Sequence, residues 1–211
     1  MGGPRSVFPF FSSIVCDAVN MDDPQLILAC KKQDRKAQKE LYETYGPKMM
    51  GVCLRYTNDN DSARDLLHDG FIQVFTQIGS YKGEGSFEGW LRRIFVNLAL
   101  NNYRQENKQK KLLENIRAEE LEIADDDFFD ATDITREELL NMIRELPPGY
   151  RTVLNLFVFE EMSHKEIGQA LGINETASRS QYSRAKTLLQ KKITAILGKN
   201  NPFNKQNERN K

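Results

Sequence analysis

The sequence predicts an all-α protein of two small helical domains joined by a flexible acidic linker, on three observations. From Pro24 onward, apolar residues recur at three- and four-residue intervals, with almost none of the strict alternation that strands show. Charge is segregated: residues 89–111 hold six basic residues against Glu106 alone, whereas residues 112–138 hold eleven acids against Arg117 and Arg136. The run Asp125-Asp126-Asp127 in the second stretch cannot bury a core and reads as a solvated tether. Finally, 211 residues at 39% hydrophobic supply two compact helical units more readily than one large enzyme with a deep cavity.

Residues 1–21 are an apolar, Ser-rich extension carrying Phe8, Phe10, Phe11, Ile14 and Val15. Arg5 and a core broken by Pro9 and Ser12-Ser13 make a poor signal peptide. The expectation is a disordered extension without function, or a start misplaced upstream of Met21. The first domain spans 22–106. Its helices are expected at about Pro24–Lys32, at Arg35–Tyr56 with a bend at Gly46-Pro47, and at about Asp61–Ile78 after the polar break Thr57-Asn58-Asp59-Asn60-Asp61. That third helix puts Ala63, Leu67, Phe71, Val74 and Ile78 on a buried stripe, with Arg64, Asp65, His68, Asp69 and Gln73 opposite. A loop, Gly79 to Gly85 with three glycines in seven residues, leads to a helix from Ser86 to about Arg104, with Trp90, Ile94 and Leu98 on one face. The charged linker spans 107–134, the second domain 135–197, and an Asn- and Lys-rich disordered tail 198–211.

The strongest local signal is Ser163-His164-Lys165-Glu166-Ile167-Gly168-Gln169-Ala170-Leu171-Gly172-Ile173-Asn174. Ser163 and Glu166 form a capping box, Gly172 supplies a left-handed stop, and Asn174 caps the next helix. Gly168 is small where a second helix must cross closely. The helix after it, Glu175 to about Lys192, buries Ser178, Tyr182, Ala185 and Leu189 and exposes Thr176, Arg179, Ser180, Ser183 and Arg184. Lys186, Lys191 and Lys192 add phosphate-binding charge. Arg and hydroxyl groups near the start of a second helix suit major-groove reading, although an ordinary helical hairpin or a solvated face shows the same pattern.

The order of these parts resembles the extracytoplasmic-function (ECF) sigma factors of the bacterial sigma-70 family, over about residues 24–196. Asp61-Ser62-Ala63-Arg64-Asp65-Leu66-Leu67-His68-Asp69-Gly70-Phe71 is similar to region 2.2, the helix that docks on the polymerase β′ coiled coil. Trp90-Leu91, Ile94, Asn97 and Arg104 match the promoter-melting helix, and Leu146-Pro147-Pro148-Gly149-Tyr150-Arg151 matches the opening of region 4. An acidic tether stands where region 3 would be, the mark of the ECF group. His68 stands where Gln is usual, Arg64 where an acid is common, and Asn101 for a frequent Asp. Thr176, Ala177 and Gln181 differ on the reading helix, which leaves the −35 sequence open.

The resemblance implies an initiation subunit that binds core RNA polymerase (β′ coiled coil and β subunit) and promoter DNA, under an anti-sigma factor. Asp65, Leu66, His68, Asp69, Phe71 and Gln73 are the expected polymerase contacts. Tyr81, Phe87, Trp90, Arg92, Arg93, Asn97, Asn101 and Arg104 are expected at the −10 element, with Tyr81 and Phe87 preferred for base contact and Trp90 assigned to the core. Thr176, Arg179, Ser180, Ser183, Arg184 and Lys186 are expected at −35. The tether fits either a mimic of nucleic acid in the RNA channel or a plain spacer.

Other classes fit less well. A net charge of zero excludes a uniformly basic coat, and no run reaches the roughly 18–20 apolar residues that span a bilayer. Three Cys without paired spacing and two His suit neither a disulfide scaffold nor a zinc site, so a cytoplasmic chain without cofactor or metal is expected. Asp65 and Asp69, four apart on one face, lack partners for acid–base or metal chemistry. No glycine-rich phosphate loop or nucleophile–base pair marks an enzyme. The competing reading is a stand-alone helix-turn-helix regulator.

Overall fold

The computed structural model describes residues 24–113 and 134–200, with side chains placed for 24–106 and 134–196. The extension, most of the tether and most of the tail assigned from sequence lie outside them. Contacts divide the chain into two units, one around residues 24–113 and one around 134–200.

The first unit begins with α1 (Pro24–Lys31) and α2 (Arg35–Tyr56). The Asp34 carboxylate caps α2, accepting from the backbone N–H of Lys36 at 2.7 Å and Ala37 at 3.0 Å. The same bonds, strongest from Ala37, hold its carboxyl below the usual range. Pro47 lies within α2 and is exposed. Helix α3 (Asn60–Gln77) starts from Asp59, whose side chain accepts from Ser62 N–H at 2.7 Å. A 3-10 turn, Ile78–Ser80, leads to the glycine loop and then to α4 (Phe87–Leu113). Ala63, Leu67, Phe71, Val74 and Ile78 are all buried, with Leu66 beside them. They pack with Leu41, Tyr45, Met49, Leu91 and Phe95 into one core. Two thiols close it: burial pushes Cys30 up to about 11 and Cys53 up to about 12, and neither is paired.

Helix α4 runs nine residues beyond Arg104, through a stretch whose charge had assigned it to the linker. Lys and Gln are good helix formers, so a basic run marks solvent and not a helix end. Helices α5 (Arg136–Arg144), α6 (Pro148–Val158), α7 (His164–Leu171) and α8 (Glu175–Asn200) form the second unit. Thr135 and Glu138 make a capping box before α5, and Pro148 occupies the first position of α6, where its missing N–H costs nothing. The buried Arg151 donates to the Arg144 carbonyl at 2.8 Å, tying α6 to the end of α5. Ile143, Leu146, Leu154, Phe159, Ala185 and Leu189 form the core, and Ile134, a linker residue by sequence, is buried among them.

Candidate nucleic-acid and protein interfaces

The outer face of α3 carries the exposed side chains Arg64, Asp65, His68 and Asp69, with Gln73 half-buried. Leu66 and Phe71, expected as partner contacts, are only 3% exposed. The Phe71 ring packs on Tyr42 at 4.6 Å and on Phe95 at 5.4 Å, so both residues build the core beneath the face. Sequence reading missed Ile72, which is 52% exposed on the same face as Asp65, His68 and Asp69. The signal was present, because Ile72 follows His68 by four and Asp69 by three. Beside it Tyr42, Glu43, Gly46, Pro47, Met50 and Leu67 line a groove between α2 and α3. Among the described residues, no three His, Cys, Asp or Glu converge as metal ligands.

The aromatics around the glycine loop are arranged opposite to the expectation. Tyr81 and Phe87 are buried, whereas Trp90 is half-exposed. The Trp90 ring stacks on Phe87 at 5.5 Å and lies 5.5 Å from Tyr81. The two buried rings are closed to a base and Trp90 alone of the three is open, because a ring must reach solvent before a base can stack on it. The loop itself is braced. Lys31 donates to the Tyr81 carbonyl at 2.6 Å, and the Tyr81 hydroxyl donates to the Gly85 carbonyl at 2.9 Å. Gly83 and Gly85 take φ of 81° and 76°, open to glycine at little cost. Along α4, Arg93, Asn97, Asn101 and Arg104 are exposed at intervals of four, four and three, with Arg92 half-buried at their edge. Arg104 donates to the Asn101 side chain at 3.1 Å.

In the second unit α7 and α8 form a helix-turn-helix. Ser163 and Glu166 make the capping box, which holds the Glu166 carboxyl below its usual range. Gly172 is left-handed at φ 68°, and Asn174 accepts from Ala177 N–H at 2.6 Å. A Cβ on Gly168 would meet the Ile173 carbonyl oxygen at 2.8 Å, so glycine is required by the turn entering α8. Ser178, Ala185 and Leu189 are buried and Tyr182 partly so. Thr176, Arg179 and Ser180 are exposed; Ser183, Arg184 and Lys186 are half-buried. Arg179 pairs with Glu175 at 2.6 Å. Arg184 lies about 140° around α8 from Arg179 at 3.6 residues per turn, and its guanidinium reaches the Tyr150 hydroxyl of α6 at 3.4 Å. It is therefore tied inward and not displayed beside Arg179.

His164 was not singled out from sequence. Its ring stacks on Phe157 at 4.5 Å, and its Nδ1 shares a 2.9 Å hydrogen bond with the Ser178 hydroxyl. Burial lowers its pKa, with the Arg179 charge acting in the same direction and Glu175 against it. A serine in a buried register must find a polar partner, and that was the available signal.

Comparison with known proteins gives a consistent family. The model for sigma-70 region 2 matches residues 41–109, and that for sigma-70, region 4 matches residues 136–189. The RNA polymerase sigma-H factor of Pseudomonas aeruginosa is 26% identical over 186 residues, covering 83% of this chain and 95% of its own. The ECF RNA polymerase sigma-E factor of Haemophilus influenzae is 28% identical, covering 85% of this chain and 100% of its own. SigW of Bacillus subtilis, an ECF RNA polymerase sigma factor, is 27% identical over 77% of this chain and 92% of its own. Among solved structures, the sigma factor RpoE of Bartonella quintana, in complex with the anti-sigma factor NepR, overlaps 74% of this chain and 96% of its own, at 17% identity and a TM-score of 0.45.

Proposed function

The chain belongs to the ECF group of the sigma-70 family, factors that direct promoter-specific transcription initiation, and from that membership we propose how its two units divide the work. The exposed α3 face, Asp65, His68, Asp69 and Ile72, docks on the β′ coiled coil of core polymerase. The glycine loop, Trp90 and the Arg93–Asn97–Asn101–Arg104 row of α4 open the −10 element and hold its displaced strand. Helix α8 enters the −35 major groove with Thr176, Arg179 and Ser180 foremost, while Lys186 and Ser183 meet phosphates. The chain works in the cytoplasm and makes no bond in DNA. An anti-sigma factor that covers the α3 face would hold it inactive.

The observation that carries this reading is the match of both regions, in order, on the two helical units. A stand-alone regulator would leave the entire first unit without a use. The deciding experiment adds purified protein to sigma-free core polymerase and runs transcription from an upstream promoter of its own operon. Binding with a specific transcript is expected. Specific duplex binding without polymerase, and no transcript, would overturn the reading.

A further inference from the structure

Loop 79–86 is held in shape by two lysines that are remote from it in sequence. At its entry Lys31, the last residue of α1, donates to the Tyr81 carbonyl at 2.6 Å and lies 5.9 Å from the centre of the Tyr81 ring. The Tyr81 hydroxyl then reaches across to the Gly85 carbonyl at 2.9 Å, closing the loop on itself. At its exit Lys48 of α2 pairs with Glu88, in the first turn of α4, at 2.5 Å, with both side chains about 30% exposed. Ser86 caps that turn by accepting from Gly89 N–H at 3.0 Å. Within residues 79–86 Tyr81 alone is buried, and the others, Lys82 and Glu84 among them, are exposed, so the loop is held through the Tyr81 anchor and the two lysine contacts.

We propose that Lys31 and Lys48 are positioning residues that fix this loop in the shape that receives an unpaired promoter base, and so set how strictly that base is chosen. The inference rests on the reading of the first unit as the −10 unit. Neither lysine touches the base. A loop ordered beforehand loses little freedom on binding, whereas a loose one must be ordered at the cost of affinity. Rigid backbone groups also reject a wrong base, because they cannot move to satisfy its unmatched edge. Freed from the two lysines, the loop would adapt to several bases and discriminate poorly.

The protein carries its own reporter, since Trp90 is the single tryptophan and lies 5.5 Å from both Tyr81 and Phe87. The double substitution Lys31→Met with Lys48→Met keeps an unbranched side chain, one atom shorter, and removes both donors. In the free full chain it should raise quenching of Trp90 fluorescence by acrylamide while leaving the far-UV helical signal unchanged. In holoenzyme, the transcript ratio between the preferred base and its substitutes at the captured position should fall about tenfold, equivalent to ~1.4 kcal/mol. Arg at both positions, as Lys31→Arg with Lys48→Arg, should restore quenching and ratio together. Unchanged quenching with an unchanged ratio would overturn the assignment, as would a fall in ratio matched by an equal loss of core polymerase binding. A wild-type chain that yields no promoter-specific transcript sinks the initiation reading instead. The fluorescence arm needs no polymerase and separates the two failures.

Discussion

On the proposed reading, two partners compete for the Arg179 guanidinium. In the free protein it pairs with Glu175, but both side chains are about half-exposed or more, and such a surface pair contributes only about 0–1 kcal/mol. A bidentate contact to a guanine edge contributes ~1–3 kcal/mol of discrimination, enough for a base to open the pair. Arg179→Ala should therefore cost −35-dependent initiation about 1–3 kcal/mol, read as transcript yield on matched and mismatched −35 sequences. Equal loss on every promoter would place Arg179 on phosphate. His164 predicts a pH effect of definite sign. Its folded pKa is lowered, first by burial, so the unfolded chain binds the extra proton. Stability is then complete above the ordinary histidine value of about 6.5 and declines as pH falls below it. The His164 imidazole signal in NMR should titrate below that value, and His164→Asn should flatten the acid-side fall in melting temperature. How far single residues could be read from sequence depended on burial. Asp65, His68 and Asp69 of α3 and Thr176, Arg179 and Ser180 of α8 were legible because helical period sorts them. Ser183 and Arg184, expected on the same exposed face, are instead half-buried, Arg184 against Tyr150. The order of exposure among Tyr81, Phe87 and Trp90 was not legible: Tyr81 lies in a loop without a period and Phe87 opens α4, and both are placed by residues remote in sequence, Lys31 of α1 and Tyr45 of α2.

Helices meet where glycine lets them. On α3, Gly70 faces the buried Phe95, and a Cβ there would lie 2.1 Å from the ring, which has no free volume to enter. On α7, Gly168 faces the Ile173 carbonyl oxygen at 2.8 Å, backbone that cannot rotate away. Gly70→Ala and Gly168→Ala should each destabilise their own unit by about 1–3 kcal/mol, the usual cost of overpacking. Thermal melting followed by circular dichroism measures both. An alanine at Gly168 that leaves −35 binding unaltered would show that the turn between α7 and α8 can open without moving the reading helix. The Ser163–Glu166 capping box, the left-handed stop at Gly172 and the buried stripe of α3 were all legible, since each is a local pattern. Where α4 ends was not: its residues beyond Arg104 favour helix as well as solvent, and no Gly or Pro stops them.

For the chain as a whole, zero net charge conceals segregated charge, basic over residues 89–111 and acidic over 112–138. In the proposed division of work, the acidic and apolar face of α3 meets a protein, and the basic rows of α4 and α8 meet DNA. Reversing charge on α3 by Asp65→Arg with Asp69→Arg should abolish binding to core polymerase while helical content is kept, both residues being exposed; binding by pull-down and circular dichroism check the two halves of the claim. Unchanged binding would refute the docking assignment. The all-α class and the order of parts were legible because period and charge vary over tens of residues. The buried Ile134 was not, since one apolar residue at the edge of an acidic run shows no pattern. The inert thiols in the first core have a practical outcome. Cys30 and Cys53 are buried and held protonated far above neutral pH, so maleimide reagents should pass them by. The third cysteine, Cys16, is absent from a chain begun at Met21. In such a chain one cysteine introduced at an exposed position of α3 would be the sole labelled site, and the anisotropy of a dye attached there would time the arrival of polymerase directly.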